Sequence, residues 1–299
     1  MKALKPVPEI ITKYLKYMDN IESASPLTLK AYKNDLFQFF EDLSQFPGDE
    51  ELLQWCHHRV SIWNGLGPAS RNRKVACLKS FFRWTYEVEM IHGRNLGTSL
   101  TSPKVPHHLP HFISVDEAFA LLRSFPAPDK ATSSELQEKV LFCLLYGSGL
   151  RVSEACAIKW SDISESESTA RIRGKGQKER LVIIPRLTLQ CLAVWKKSVL
   201  EKTVFVFGEK AMNPRKAYEL IKQRGIKAGL FHPLHPHALR HSFATHLLSS
   251  GANLRTLQEL LGHANLQATQ KYTHVAIDQL ARTMDSFHPL NGVVASNKK

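Results

Sequence analysis

Pro236-His-Ala-Leu-Arg-His-Ser-Phe-Ala-Thr-His-Leu-Leu-Ser249 reads as one amphipathic helix. Proline suits the first helical position, where a missing N–H is no loss, and Leu239, Phe243 and Leu247 recur at the spacing of a buried stripe. His237 and Arg240 stand three apart, share another face and can grip one anion. His237 and His241 stand four apart, like the ligands of an HExxH zinc site. Residue 238 is Ala where that site needs its Glu, so a metal is the weaker reading and none is assigned.

The neighbouring segments are helical too. Ser114-Val-Asp-Glu117 is a capping box that opens a helix to about Phe125. An apolar helix follows near Leu136 to Leu145, ended by Gly147 and Gly149, and another starts near Ser153. Between Thr169 and Pro185 the period changes: Arg171-Ile172-Arg173 and Leu181 to Ile184 predict strands joined across Gly174-Lys-Gly-Gln-Lys178, a β-hairpin with a lysine in its turn. Helices are predicted over 187–200, over 213–227 with Pro214 in first position, and over 253–261, stopped by Gly262. Val204 to Phe207 is one further strand, and the C-terminus reads as a ragged, polar tail.

Nearer the N-terminus, Ser25 and Pro26 start a helix to about residue 44 that carries Leu29, Tyr32, Leu36, Phe39, Phe40 and Leu43. A second run, Arg71 to Glu87, sets Val75, Leu78, Phe81, Phe82 and Tyr86 against Arg71, Arg73, Lys74, Lys79 and Arg83. Thr101 to Pro110 holds three prolines and no apolar period, which marks a linker. The expected organisation is a helical domain over 1–100, a linker over 101–110 and a second domain over 111–299. The fold class is mainly α, with a small β-sheet in the second domain.

The 299 residues are 43% apolar and 22% charged, which excludes disordered, collagenous and low-complexity classes. Lys and Arg number 40 against 27 Asp and Glu, a net charge of +13, distributed as +3 over 1–105 and +10 over 106–299. Such an excess favours a polyanionic partner, nucleic acid or an anionic membrane surface. The longest apolar run, Val140 to Leu150, is broken by Gly147, Ser148 and Gly149 and falls short of the ~20 residues of a membrane span. Lys and Glu are scattered through the N-terminus, where a signal peptide would carry its apolar segment. The five cysteines, Cys56, Cys77, Cys143, Cys156 and Cys191, form no CxxC pair and fit neither a disulfide framework nor a zinc ribbon. A cytoplasmic location is expected.

Gly174-Lys-Gly lacks the spacing of a nucleotide-binding P-loop, so ATP use is not indicated. What remains is a set of cationic and neutral donors around one phenol: Arg151 after a glycine turn, Lys175 at a hairpin tip, His237 and Arg240 on one helix face, His263 just past Gly262, and Tyr272. Taken singly, each has a plainer role. Arg151 and Arg240 are ion-pair partners for Glu154 or another acid, Lys175 is a solvated turn residue, His237 and His263 are helix caps, and Tyr272 is packing.

Together and in order, inside Gly149-Leu-Arg151-Val-Ser-Glu154, Gly174-Lys-Gly-Gln-Lys-Glu-Arg180, His237-Ala-Leu-Arg-His-Ser-Phe-Ala-Thr-His246, Leu261-Gly-His263 and Tyr272-Thr-His274, they resemble the tyrosine recombinases of the phage integrase family, and in particular its Xer branch. Ser25-Pro-Leu-Thr-Leu-Lys-Ala-Tyr32 extends the resemblance through the first domain; Asn95-Leu96 departs from the family's usual Asn-Pro. The resemblance implies a C-shaped clamp on DNA in which Tyr272 is the nucleophile, Arg151 and Arg240 grip the phosphate, and Lys175 is the acid for the leaving 5′ oxygen. His237 assists proton transfer from the phenol, and His263 donates to the scissile phosphate. The chemistry is sound: guanidiniums stabilise charge developing on nonbridging oxygens, and a phenol of pKa near 10 needs a base or a cationic field to attack at neutral pH. No cofactor is required.

Arg71, Arg73, Lys79, Arg215, Lys216, Lys222 and Arg224 are candidate DNA contacts. The resemblance further implies a tetramer on two double-stranded DNA sites, a related second recombinase, an activating DNA translocase and chromosome dimer resolution. It also implies a tail near Phe287-His-Pro289 that docks on a neighbouring protomer. The rival readings are a type IB topoisomerase-like enzyme, an architectural DNA-binding factor without catalysis, and a metal-dependent nuclease using the histidines of 232–246.

Overall fold

Several helix starts in this chain are marked by side chains that satisfy otherwise orphaned backbone N–H groups. Ser25 accepts from Thr28 N–H, Ser114 and Thr132 each form a complete capping box with Glu117 and Glu135, and Asn213 accepts from Arg215 N–H. The computed structural model describes residues 6–22, 24–89, 94–101, 112–173, 179–199, 203–261 and 274–290. The chain divides into two compact units, Met1–His108 and Leu109–Lys299.

The first unit is built from α1 (Val7–Asn20), α2 (Pro26–Phe39), α3 (Asp49–Ile62) and α4 (Pro68–Glu87). Val7, Ile10, Ile11 and Tyr14 of α1 lie at helical spacing and are buried, a helix not expected from the sequence; α3, also unexpected, buries little more than Leu52 and Cys56. The second helix ends at Phe39, short of residue 44. The chain turns at Phe40, Ser44 carbonyl caps the start of α1, and Phe46 comes back to within 5.1 Å of Phe40, ring centroid to centroid. Tyr14, Phe39, Phe40, Phe81 and Phe82 then form a dense aromatic core.

The helix that presents Arg71, Arg73 and Lys79 is not a clean two-faced rod. Lys74 is buried, with Nζ 3.0 Å from Asp35 Oδ1 and 2.9 Å from Gln38 Oε1, because a neighbouring carboxylate and amide make its ammonium tolerable inside. Arg73 is exposed but also donates to Asp35, Arg71 and Lys79 are half-buried, and Tyr86 stands out in solvent rather than in the core.

The second unit contains α5 (Val115–Arg123), α6 (Ser133–Phe142), α7 (Val152–Ala157), β1 (Ile163–Ser164), β2 (Thr169–Arg173), β3 (Glu179–Ile183), α8 (Arg186–Ser198), α9 (Pro214–Lys227), α10 (Pro236–Ser249), α11 (Leu254–Leu261) and α12 (His274–Phe287). The strands form one antiparallel sheet in the order β1-β2-β3, with Ala170 opposite Val182 and Ile172 opposite Arg180. Val204 to Phe207 is not a strand: Phe205 makes isolated bridges to Lys159 and Gly208. The end of the chain is not merely a polar tail either, because α12 packs Leu280 and Met284 into the core, followed by Leu290. No described helix is long and apolar enough to cross a membrane.

Two local features aim the loop before α7. The last turn of α6 widens into a π-helical turn, Cys143–Gly147. Gly149 then takes φ +63°, and a Cβ there would lie 2.5 Å from Phe243 Cε1, so only glycine permits α10 to close on this loop.

Arg224 must be struck from the candidate DNA contacts. It is 2% exposed, donates through Nε to Glu138 Oε2 at 2.8 Å, and lies over the Phe125 ring at 4.3 Å. Its guanidinium is consumed inside the domain. Arg224→Ala leaves Glu138 buried without a cation and is expected to destabilise this unit by about 3–5 kcal/mol. The double change Arg224→Met with Glu138→Leu should recover most of that loss, as chemical denaturation would show.

Candidate active site

Glu154 is the organising group. It sits in the first turn of α7, is buried, and receives the Arg151 N–H on Oε2 at 2.7 Å and the Arg151 guanidinium on Oε1 at 2.9 Å. Arg180 of β3 adds a bidentate pair, 2.7 Å to Oε1 and 2.8 Å to Oε2. Arg240 of α10 lies 3.8 Å from Oε2. Three guanidiniums thus converge on one carboxylate, which leaves a net positive site.

Burial is the largest influence on the Glu154 carboxyl and acts to raise its pKa. The hydrogen bond and charge of Arg180 and the Arg151 N–H overcome it and set the value at about 2. Burial, together with the charge of Arg151, lowers Arg240 to about 10, so it remains a cation at neutral pH.

Arg240 is fixed from two sides. It donates to Gly149 O and, through Nη2, to Leu261 O at 2.7 Å, tying the loop before Arg151 and the end of α11 to one helix. Its side chain is 13% exposed and that of Arg151 is 40% exposed, so Arg240 is clamped and Arg151 reaches outward. His237 lies one turn before Arg240 on α10 and is exposed. It does not cap the helix: His235 does, its Nδ1 accepting from Ala238 N–H at 3.0 Å.

The structure therefore brings Arg151, Arg240 and, on the same helix, His237 to one region of the second unit. Lys175, His263 and Tyr272 lie outside the described residues, but described elements flank each in sequence: Arg173 and Glu179 bracket Lys175, Leu261 precedes His263 by two residues, and α12 starts two residues after Tyr272. Among the candidate DNA contacts of this unit, Arg215 and Lys216 are exposed on the first turn of α9 and Lys222 is half-buried. From the sequence alone Glu154 is only an ion-pair partner for Arg151 or Arg240, and Arg180 has no assigned part. The Arg151-x-x-Glu154 spacing was visible, whereas no local pattern could show that a strand residue 26 positions on shares that carboxylate.

Behind the arginines lies a buried cluster. Tyr146 Oη meets His246 Nδ1 of α10 at 2.8 Å, and His288, just past α12, donates through Nε2 to Tyr146 O at 3.1 Å while its Nδ1 accepts from Leu290 N–H at 3.2 Å. That arrangement needs a neutral imidazole. Burial, aided by the nearby His246, pushes the His288 pKa from 6.5 down to about 4, and burial lowers His246 as well. As pH falls below about 6.5 the unfolded chain binds the proton first, so stability present above that value is lost progressively toward pH 4. The thermal midpoint should drop on acidification from about pH 7 to about pH 5, and His288→Gln should flatten the drop.

The chain is similar to known proteins of one family. Residues 112–279 match the phage integrase family, and residues 11–88 match the phage integrase N-terminal SAM-like domain. Tyrosine recombinase XerC of Myxococcus xanthus is 34% identical over 97% of this chain and 99% of that protein, and XerD of Staphylococcus aureus is 32% identical over 94% and 98%. A lambda integrase tetramer bound to a Holliday junction superposes with a TM-score of 0.66 at 15% identity, over 89% of this chain and 80% of the other. The chain belongs to the phage integrase family. Within that family it is a site-specific DNA recombinase of the Xer type.

Proposed function

We propose that this recombinase cuts and rejoins duplex DNA through a 3′-phosphotyrosyl intermediate formed on Tyr272. The observation that carries the reading is the convergence of Arg151 and Arg240, far apart in sequence, beside a single buried carboxylate. A phosphodiester held between the two guanidiniums has its nonbridging charge compensated where it grows, in a site already polarised before DNA arrives.

The Tyr272 oxygen attacks phosphorus, its proton passing toward His237. The bond to the 5′ oxygen breaks, and Lys175 supplies the proton that makes that oxygen a hydroxyl, while His263 donates to the phosphoryl group. The phosphotyrosyl ester keeps the energy of the broken link, so a 5′ hydroxyl from another strand reseals it without ATP. Arg215, Lys216 and Lys222 of the second unit and Arg71, Arg73 and Lys79 of the first contact DNA in this reading.

The biological role proposed is resolution of chromosome dimers at cell division in the cytoplasm. It would proceed by a tetramer on two DNA sites, beside a related second recombinase and under a DNA translocase. The support is the likeness to proteins named XerC and XerD and to a tetrameric lambda integrase. The test is a pool of nicked suicide duplexes with randomised arms, incubated with the full chain in chelator and run on a denaturing gel. A protein–DNA band that nuclease removes is expected; its absence, or its appearance only with added divalent metal, overturns the reading.

A further inference from the structure

The described structure contains one thiol pair. Cys143 opens the π-helical turn and is fully buried; Cys191 lies on α8 and is half-buried; Cys143 Sγ donates to Cys191 Sγ across 3.6 Å. We propose that Cys143 and Cys191 form an oxidative modification site, closing to a disulfide that pulls the π-helical turn toward α8 and displaces the loop that presents Arg151.

The asymmetry of the pair fits stepwise oxidation. The hydrogen bond from Cys143 and the charge of Lys139, against the opposing effect of burial, hold the Cys191 thiol below its ordinary range, and Cys191 is the less buried residue of the pair. With a peroxide as oxidant, the Cys191 thiolate attacks one peroxide oxygen, the O–O bond breaks, and a sulfenic acid forms with release of hydroxide. The Cys143 sulfur then attacks the sulfenic sulfur and the hydroxyl leaves as water. Two thiols lose two electrons and two protons, and one peroxide becomes two waters.

Closing the pair shortens the sulfur separation from 3.6 Å to about 2.05 Å. The displacement falls on a strategic turn. Cys143 O accepts from Ser148 N–H at 3.1 Å and from Thr188 Oγ1 of α8 at 3.4 Å, and the next residue, Gly149, supplies the carbonyl that Arg240 holds. Movement at Cys143 is therefore carried through Ser148 and Gly149 to Arg151, the arm of the clamp with the greatest freedom. An ångström of misplacement there is enough to lower cleavage about tenfold or more.

The effect on cleavage rests on the proposed function; formation of the bond does not. The full chain is reduced, treated with hydrogen peroxide, alkylated and digested without reductant. A Cys143–Cys191 cross-linked peptide is expected by mass spectrometry, with a fall of about tenfold in phosphotyrosyl adduct that dithiothreitol reverses. Cys191→Ser, a change at a half-buried position outside the clamp, should keep full adduct yield and lose the peroxide response. Recovery of both thiols as alkylated peptides overturns the site. A cross-link without loss of adduct, or equal loss in Cys191→Ser, overturns its effect on the clamp. Reduced protein that forms no adduct would count against the proposed function alone, because the cross-linked peptide still decides the chemistry of the pair.

Discussion

Tyr272→Phe is expected to abolish the covalent protein–DNA adduct while leaving DNA affinity in a gel shift unchanged. The substitution removes one oxygen and nothing else. Phe can pack as Tyr does, and the guanidiniums that attract the phosphate are untouched, so ground-state binding survives. The chemistry does not, because no other group of the proposed site can form the same ester. Tyr146, the tyrosine nearest in sequence to Arg151, is no substitute: it is fully buried, its hydroxyl is engaged with His246, and burial raises its pKa far above the ordinary phenol. An adduct that persists in Tyr272→Phe would assign the nucleophile elsewhere.

Arg240→Ala is the second large effect, with an expected loss of cleavage of about 10²–10³-fold at near-constant DNA affinity. Two causes add. A cation disappears from beside the phosphate, and Gly149 O and Leu261 O lose the donor that ties them together. The second cause should also appear as a stability loss of about 1–3 kcal/mol, since two carbonyls are left unpaired. Arg240→Lys restores the charge without the fork that reaches both carbonyls, so it should recover cleavage only in part. Arg151→Ala makes the contrast: Glu154 stays paired with Arg180, so cleavage should fall by orders of magnitude with little change in thermal midpoint. Equal loss of binding and cleavage in either variant would make the residue a DNA-positioning group rather than part of the phosphate clamp.

Much of the second unit was legible because its signals are local. The capping box at Ser114, Pro214 and Pro236 in first turns, and the strands that flank residues 174–178 are set by neighbours a few residues away, whereas the capping box at Thr132 was not expected from the sequence. Elements were missed where the local signal was weak or divided. Among charged residues, α3 buries little, and α12 shows its apolar stripe only when Leu280 and Met284 have a core to meet. The shortening of α2 at Phe39 could not be read either, because it depends on Phe46 packing against Phe40 and Phe81.

The site divides in the same way. Residue identity and order, through the resemblance to the phage integrase family, proposed Arg151, Lys175, His237, Arg240, His263 and Tyr272 as a set, and their functional groups suit the handling of a phosphate, a leaving oxygen and a phenol. Which basic residues are free to meet DNA could not be read from type or spacing. Arg224 and Lys74 look like any other cation on an amphipathic helix until Glu138 and Asp35 arrive from other segments and draw them inside. Burial and ion pairing are properties of residues distant in sequence. A carboxylate that gathers arginines from α7, β3 and α10, and two sulfurs that meet between a π-helical turn and α8, exist only once the chain has folded.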